Sequence, residues 1–432
     1  MPKQLHPNST SCHTHELPLG NRFATSLPRR QILLHSLGAA FTLLANRPAD
    51  ALGQSPNLKT SPNPTMLRRS SFLWTQAERE YGFAHWDQVF SGRIVETNPD
   101  PHPLPTGLAI DQLLDAQPDA SDSIENFIAQ NKVAGLIIIH KGTIRSEHYA
   151  LGHSKTGRWT SQSIAKSITS TLVGAAIQDR FIAGLDDPVI KYIPDLIGSA
   201  YQDVTIKHLM NMTSGIEWNE NYADPASDIS RFYTAPITPG LNATVSYMRH
   251  LKRAAKPGAR WLYNTGDSHL LGVVVSSATR QTLAEYLSAK IWKPCSMNQP
   301  AVWATDRTHH ELAGCCLSAS LRDFARFGQF VIESGQIQGR QVVPQGWFQA
   351  ASKNQIKIDD PHYGYGYQWW IRNQGSLDAL GIHGQFIHAD PSRSLVVVIQ
   401  SAWPEPTSVQ RSSDQQKLLS RIVKQIDMEM LR

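Results

Sequence analysis

The chain has 432 residues, enough to bury a large core in one domain or two. Apolar residues make up 41% and charged residues 18%, the balance of an ordinary soluble globular protein. The formal net charge is only +5 and no Lys/Arg run is interleaved with aromatics, so a nucleic-acid surface is set aside in favour of a solvated one.

In chain order, Arg29-Arg30-Gln31-Ile32-Leu33-Leu34 opens an apolar stretch through Phe41, Thr42, Leu43 and Leu44, and the small-residue site Ala49-Asp50-Ala51 follows. A basic pair, a short apolar run and Ala-x-Ala form the order of an export signal, and adjacent arginines point to the twin-arginine route. Residues 1–51 are therefore expected to direct a bacterial protein to the periplasm or outside the cell, with cleavage near Ala51. The run is too short to span a bilayer, so no stable membrane anchor is expected after signal removal. Cys12-His13-Thr14-His15-Glu16 carries metal-ligand side chains but lies in this presequence. Cys295, Cys315 and Cys316 remain; an odd count with two adjacent is no disulfide framework and reads as buried thiols, with one optional bridge from Cys295.

Residues 52 to about 75 are Ser/Pro/Asn-rich and read as a linker, and Trp74 to Pro105 as a wrapping segment with little regular structure. The catalytic-size domain is then 106–432. Asp122 reads as the N-cap of a helix through Ile124, Phe127 and Ile128. Val133 to His140, a Lys141-Gly142 turn, and Ile144 to Tyr149 read as a β-hairpin. From Ser163, the apolar residues Ile164, Ile168, Leu172 and Ala176 recur at helical spacing, with Ala165, Val173 and Ala175 widening the face, so this helix is buried on most sides. A helical block runs through about residue 300, with long polar loops between Trp218 and Pro239. A helix over Leu321 to Glu333 follows, then strand-like runs at Tyr365–Arg372, Leu380–Ala389 and Leu395–Ser401, and a last amphipathic helix at about Gln415–Met430. This mixed order predicts an α+β sandwich. Both chain ends would form a five-stranded antiparallel sheet flanked by helices, and residues 156–300 a mainly helical second lobe. Pockets tend to lie between such lobes.

Ser163-Ile164-Ala165-Lys166 is the chain's only Ser-x-x-Lys. Residues three apart on a helix share a face, which sets the Lys166 amine beside the Ser163 hydroxyl. The positive end of the helix dipole favours neutral lysine over the ammonium ion and so suits it to act as a base. It also offers the Ser163 N–H to a developing oxyanion. The alternative is a capping serine and a lysine that snorkels to solvent.

Trp159-Thr160-Ser161-Gln162-Ser163-Ile164-Ala165-Lys166-Ser167-Ile168-Thr169-Ser170 closely resembles the active-site segment of the serine β-lactamase and penicillin-recognising superfamily, most of all its esterase and 6-aminohexanoate-dimer hydrolase branch. Leu185-Asp186-Asp187-Pro188, Tyr192-Ile193-Pro194, Val204 to Gly215, and Ser318 to Gly328 follow in that family's order, so the resemblance runs from about Thr75 to the C-terminus. It implies the β-lactamase/transpeptidase-like fold, a Ser163 acyl-enzyme, and no cofactor or metal.

The family's second element, usually Tyr-x-Asn, falls on Tyr263-Asn264-Thr265. Tyr263 fits as a proton carrier paired with Lys166 and titrating with it as a unit. Asn264 is shifted by one position, which puts β-lactam side-chain recognition in doubt but keeps Asn264 a candidate for substrate contact. The third element, Lys-Thr-Gly, belongs on a late strand. Lys155-Thr156-Gly157 precedes the nucleophile and cannot be it; the matching place is Ala379-Leu380-Gly381. The resemblance assigns Gly381 to the motif glycine and the Ile382 N–H to the second oxyanion donor. Ala379 and Leu380 lack the polar groups that usually meet a β-lactam or peptide carboxylate. His383 either lines the pocket or packs beneath the strand, and the second is preferred. The loop Trp218-Asn219-Glu220-Asn221-Tyr222 resembles one that closes over the acyl pocket; Tyr222 would bond the leaving amine or pin its own loop. Tyr363 to Trp370 reads as core packing.

There is no Gly-x-Ser-x-Gly elbow, no His-Glu-x-x-His, and no Cys/His set with zinc spacing outside the presequence. The expectation is a serine hydrolase for a small-molecule ester or amide, monomeric or homodimeric, with no nucleic-acid partner. The alternatives are a β-lactamase or D-alanyl-D-alanine carboxypeptidase, and a catalytically silent binder of peptide or cell-wall fragments.

Overall fold

A computed structural model describes residues 70–98, 101, 103–117, 123–360, 362–372 and 375–431. The export signal, the Cys12–Glu16 cluster and the linker up to residue 69 lie outside the described residues. Among the described residues no helix is long and apolar enough to cross a membrane.

The segment from Trp74 carries more regular structure than its prolines suggest. Thr75 and Glu78 form a capping box, with the Glu78 carboxylate accepting from the Thr75 N–H at 2.7 Å, and so start helix α1 (Gln76–Ala84). A short helix at Trp86–Val89 and strand β1 (Gly92–Val95) follow. Trp74, Phe83, Trp86 and Phe90 supply an aromatic cluster with ring centroids 4.6–6.3 Å apart. Helix α2 (Ile124–Gln130) is capped by Ser123, one residue after the expected Asp122.

β2 (Val133–His140) and β3 (Thr143–Tyr149) make the expected hairpin, turned at Lys141 and Gly142 with φ of 48° and 74°. That is the primed-turn geometry whose twist matches the strands. β4 (Trp159–Thr160) leads into α3 (Ile164–Gln178), which is buried from Ile164 through Ala176. Then come α4 (Thr265–Thr279), β5 (Ala301–Ala304), β6 (Leu317–Ala319) and α5 (Leu321–Ile332). β7 (Gly364–Gly366), β8 (Trp369–Ile371), β9 (Leu377–Gly381), β10 (Gln385–Asp390), β11 (Leu395–Ser401) and α6 (Val409–Met430) complete the chain.

The two chain ends do share one antiparallel sheet, in the order β3-β2-β11-β10-β9-β8-β7. It has seven strands rather than five because two apolar runs are hairpins. Tyr365–Arg372 turns at Tyr367 and Gln368, both left-handed, and Leu380–Ala389 breaks at Ile382–Gly384, where His383 has φ 61°. Leu136, Ile138, Val397 and Ile399 pack with Leu418, Ile422 and Ile426 of α6. The alternate residues Ile137, Ile139, Val396 and Val398 join α3 and α5 in the main core. Burial on both faces explains why these strands read as unbroken apolar runs.

A second sheet, β1-β5-β6-β4, was not legible because its strands are only two to four residues long. It matters for position: the Ser161 N–H donates to the Leu317 carbonyl at 2.8 Å, tying the start of α3 to β6.

Candidate active site

Gln162, in the left-handed region at φ 44°, turns the chain from β4 into α3 and leaves Ser163 at the helix N-cap. The Ser163 side chain makes no capping bond. Its Oγ instead receives a hydrogen bond from Lys166 Nζ at 2.9 Å, and the same amine donates to the Gly314 carbonyl at 2.8 Å. Lys166 is 2% exposed, so it does not snorkel. Burial pulls its pKa down to about 8, against the opposing pull of the Glu220 carboxylate. The capping-serine and snorkelling-lysine alternative does not describe this pair.

Tyr263 sits two residues before α4, its ring centroid 5.0 Å from Lys166 Nζ and stacked on Trp370 at 5.9 Å. Burial, reinforced by Glu220, pushes the phenol well above its ordinary range, and the Ser163 hydroxyl pulls the other way. The phenol therefore keeps its proton at neutral pH. Asn264 departs from its expected role: it is buried and caps α4, its Oδ1 accepting from the Asp267 N–H at 3.1 Å. A helix end needs that acceptor, and the cavity-lining side chain is Thr265 instead.

The end of β9 closes the other side. A Cβ on Gly381 would lie 2.7 Å from the Ser161 carbonyl and 3.0 Å from the Ser163 nitrogen, so only glycine lets this strand approach Ser163. The Ser163 and Ile382 N–H groups have no hydrogen-bond acceptor among the described residues, and both residues line the cavity. Gly381→Ala is expected to push β9 away and lower kcat for a nitrophenyl ester by about 10²–10³, the usual effect of losing one oxyanion donor. A variant with wild-type kcat would show that this contact does not matter. Ala379 lies in the core and Leu380 lines the cavity, so neither offers a polar group. Lys155 and Thr156 are exposed in a turn ahead of β4.

His383 takes the second of its two positions. It is 2% exposed, its Nδ1 bonds the Trp403 carbonyl at 2.7 Å, and its ring meets Phe83 edge-on at 5.5 Å. Burial lowers its pKa to about 3, so it is neutral packing beneath the strand and does not face substrate.

Tyr222 both lines the site and anchors its own loop: its hydroxyl donates to Glu220 at 2.9 Å and its ring meets Phe72 at 5.3 Å. Glu220 is the residue that motif reading passed over. Its carboxylate also accepts from the Thr265 N–H at 3.1 Å and the Thr265 hydroxyl at 2.5 Å. It thereby fixes the loop to the start of α4 and sets a negative charge near Lys166 and Tyr263. Its place beside Tyr222 was visible in sequence; its reach across 45 residues to Thr265 was not. The cysteines also differ from expectation: Cys315 and Cys316 form a disulfide with each other rather than standing as thiols, and Cys295 is the free thiol among the described residues.

Two cavities meet at Ser163 and share Ser163, Glu220, Tyr222 and Ile382. One, of about 650 Å³, is lined by aromatic side chains including Phe72, Trp86, Phe90 and Phe232, and also by Asp306, Arg307 and His309. The other, of about 760 Å³, contains Tyr263, Tyr363, Trp370 and Leu380, and no lysine or arginine among its described lining residues.

Residues 120–420 match the beta-lactamase family. A 6-aminohexanoate-dimer hydrolase of Paenarthrobacter ureafaciens is 26% identical over 353 residues, covering 77% of this chain and 88% of that protein. Penicillin-binding protein 4* of Bacillus subtilis is 25% identical over 150 residues, covering 33% of this chain and 30% of that protein. Among solved structures, a Bacillus anthracis protein put forward as a 6-aminohexanoate-dimer hydrolase superposes with a TM-score of 0.75 at 24% identity, covering 85% of this chain and 99% of that one. At that identity the superposition speaks for the fold. With a match across residues 120–420, the chain belongs to the beta-lactamase family, and it is a serine hydrolase of that family.

Proposed function

We propose that the enzyme cleaves an ester or amide of a small carboxylic acid through an acyl-enzyme on Ser163, with Lys166 as base and Tyr263 as the proton donor to the leaving group. The observation that carries this reading is the 2.9 Å contact between a buried, easily neutralised amine and a serine hydroxyl free of any capping duty. Neutral Lys166 takes the Ser163 proton as Oγ attacks the substrate carbonyl. The oxygen that becomes negative lies against the Ser163 and Ile382 N–H groups. The proton passes through the Tyr263 phenol to the leaving oxygen or nitrogen as its bond to carbon breaks. Water then attacks the acyl carbon and loses a proton by the same path. The Ser163–carbon bond breaks, the proton returns to Oγ, and the free acid leaves.

Because Tyr263 borders only the larger cavity, the leaving alcohol or amine belongs there and the acyl group belongs in the aromatic one. Ala379 and Leu380 stand where a penicillin-recognising site would hold its cation and hydroxyl, so a β-lactam or a peptide carboxylate finds no counterion on β9. The similarity to the 6-aminohexanoate-dimer hydrolase favours a linear amide among these substrates. A fluorophosphonate probe followed by peptide mapping tests the nucleophile. Label on the peptide carrying Ser163 is expected; label confined to any other serine overturns the proposal.

A further inference from the structure

One wall of the acyl cavity has no role in the steps above: the Cys315–Cys316 disulfide. The residue before it, Gly314, gives its carbonyl to Lys166 Nζ at 2.8 Å and its N–H to His269 Nδ1 at 3.1 Å. Cys316, left-handed at φ 68°, donates its N–H to the carbonyl of Gln162 at 3.3 Å, next to the nucleophile. The following residue, Leu317, donates to Ser161 Oγ at 3.0 Å. The disulfide thus lies between the carbonyl that holds the base and the strand that holds the nucleophile segment. On its cavity side, Cys315 Sγ is 3.6 Å from the Tyr233 hydroxyl.

A bridge between adjacent cysteines closes a small ring through one peptide bond, which fixes the backbone dihedrals of both residues; opening it returns that freedom. We propose that the Cys315–Cys316 disulfide is a positioning and specificity element of this site. Closed, it holds the Gly314 carbonyl on Lys166 and presents an apolar sulfur wall to the acyl group; reduced, it loosens both. The chemistry of opening balances with a dithiol reductant. One of its thiolates attacks a sulfur, the S–S bond breaks, and the second thiol resolves the mixed disulfide. Cys315 and Cys316 gain two electrons and two protons while the reductant becomes a cyclic disulfide. A cavity of about 650 Å³ beside these sulfurs admits such a reagent.

The inference rests on the acyl-transfer reading, and the test separates the two. In the full chain, thiols titrated after denaturation are expected to rise by two on reduction. In native enzyme, dithiothreitol is expected to lower the fluorophosphonate labelling rate of Ser163 and kcat for nitrophenyl esters by about tenfold or more, the scale set by small displacements of catalytic groups. KM is expected to rise more for the octanoate than for the acetate ester, and oxidised glutathione to restore both parameters. The double variant Cys315→Ala/Cys316→Ala is expected to behave like the reduced enzyme and to ignore the reductant. Equal kinetics in both redox states across the ester series, or no gain of thiols, overturns the inference. So does a redox response that persists in the double variant, which would trace to Cys12 or Cys295. If the double variant does not fold, the wild-type comparison still decides. Failure of Ser163 to label in either redox state removes the acyl-transfer reading itself.

Discussion

Ser163→Ala is expected to lower the hydrolysis of a short-chain nitrophenyl ester by at least about 10⁴-fold, the scale seen when a nucleophile is removed from a site whose members act as a unit. The residual rate belongs to the oxyanion N–H groups and to binding, which the substitution leaves in place. The fold is expected to survive. The Ser163 side chain caps nothing, and the hydrogen bond it loses leaves Lys166 Nζ still donating to Gly314. One such bond contributes about 1 kcal/mol, so the unfolding midpoint in urea should move little. Equal rates for wild type and variant would sink the acyl-enzyme.

Lys166 sets the second expectation, the pH dependence. The amine must be neutral to accept a proton, so kcat/KM is expected to rise with pH through a midpoint near the lowered value of about 8. That midpoint belongs to the Lys166–Tyr263 pair rather than to either group alone. Lys166→Met is expected to cost about 10²–10⁴ in turnover and to abolish the limb. Glu220→Gln removes the charge that holds the ammonium form and is expected to shift the midpoint to lower pH. The same group predicts a stability effect. Its folded pKa lies below the ordinary lysine value of 10.5, so between about 8 and 10.5 the unfolded chain binds more protons and stability rises with pH. At 1.36 kcal/mol for each pKa unit the full rise is on the order of 3 kcal/mol. Urea unfolding between about pH 8 and 9.5 reads about half of it before tyrosines of the unfolded chain begin to ionise. The Met variant should lack this rise. A wild-type rate flat from pH 6 to about 10 would rule out neutral lysine as the base.

The parts of this site that lie close together in sequence were the legible ones. Ser163 and Lys166 share a helix face, so three residues of spacing carried their contact. Tyr263, Gly381 and Ile382 came through ordered blocks of family resemblance, and the structure brings all three to Ser163. What sequence spacing could not carry was the direction of a side chain at an element's end. Asn264 and His383 sit beside true lining residues, but one is drawn into capping α4 and the other turns inward at a left-handed break. Glu220 was hidden for the converse reason, since its partner Thr265 is reached only through tertiary folding. The short strands of the second sheet and the two hairpins fell below the length at which periodicity separates one strand from two.

The stretch from Phe72 to Phe90 has a consequence for where selectivity resides. It precedes residue 120, where the family match begins, yet it walls the smaller of the two cavities with Phe72, Trp86 and Phe90. Part of the wall of that cavity therefore comes from a stretch of chain separate from the one that carries Ser163, Lys166 and Tyr263. A graft that keeps residues 120–420 and exchanges only the preceding segment would change which acid the enzyme accepts while leaving its chemistry intact.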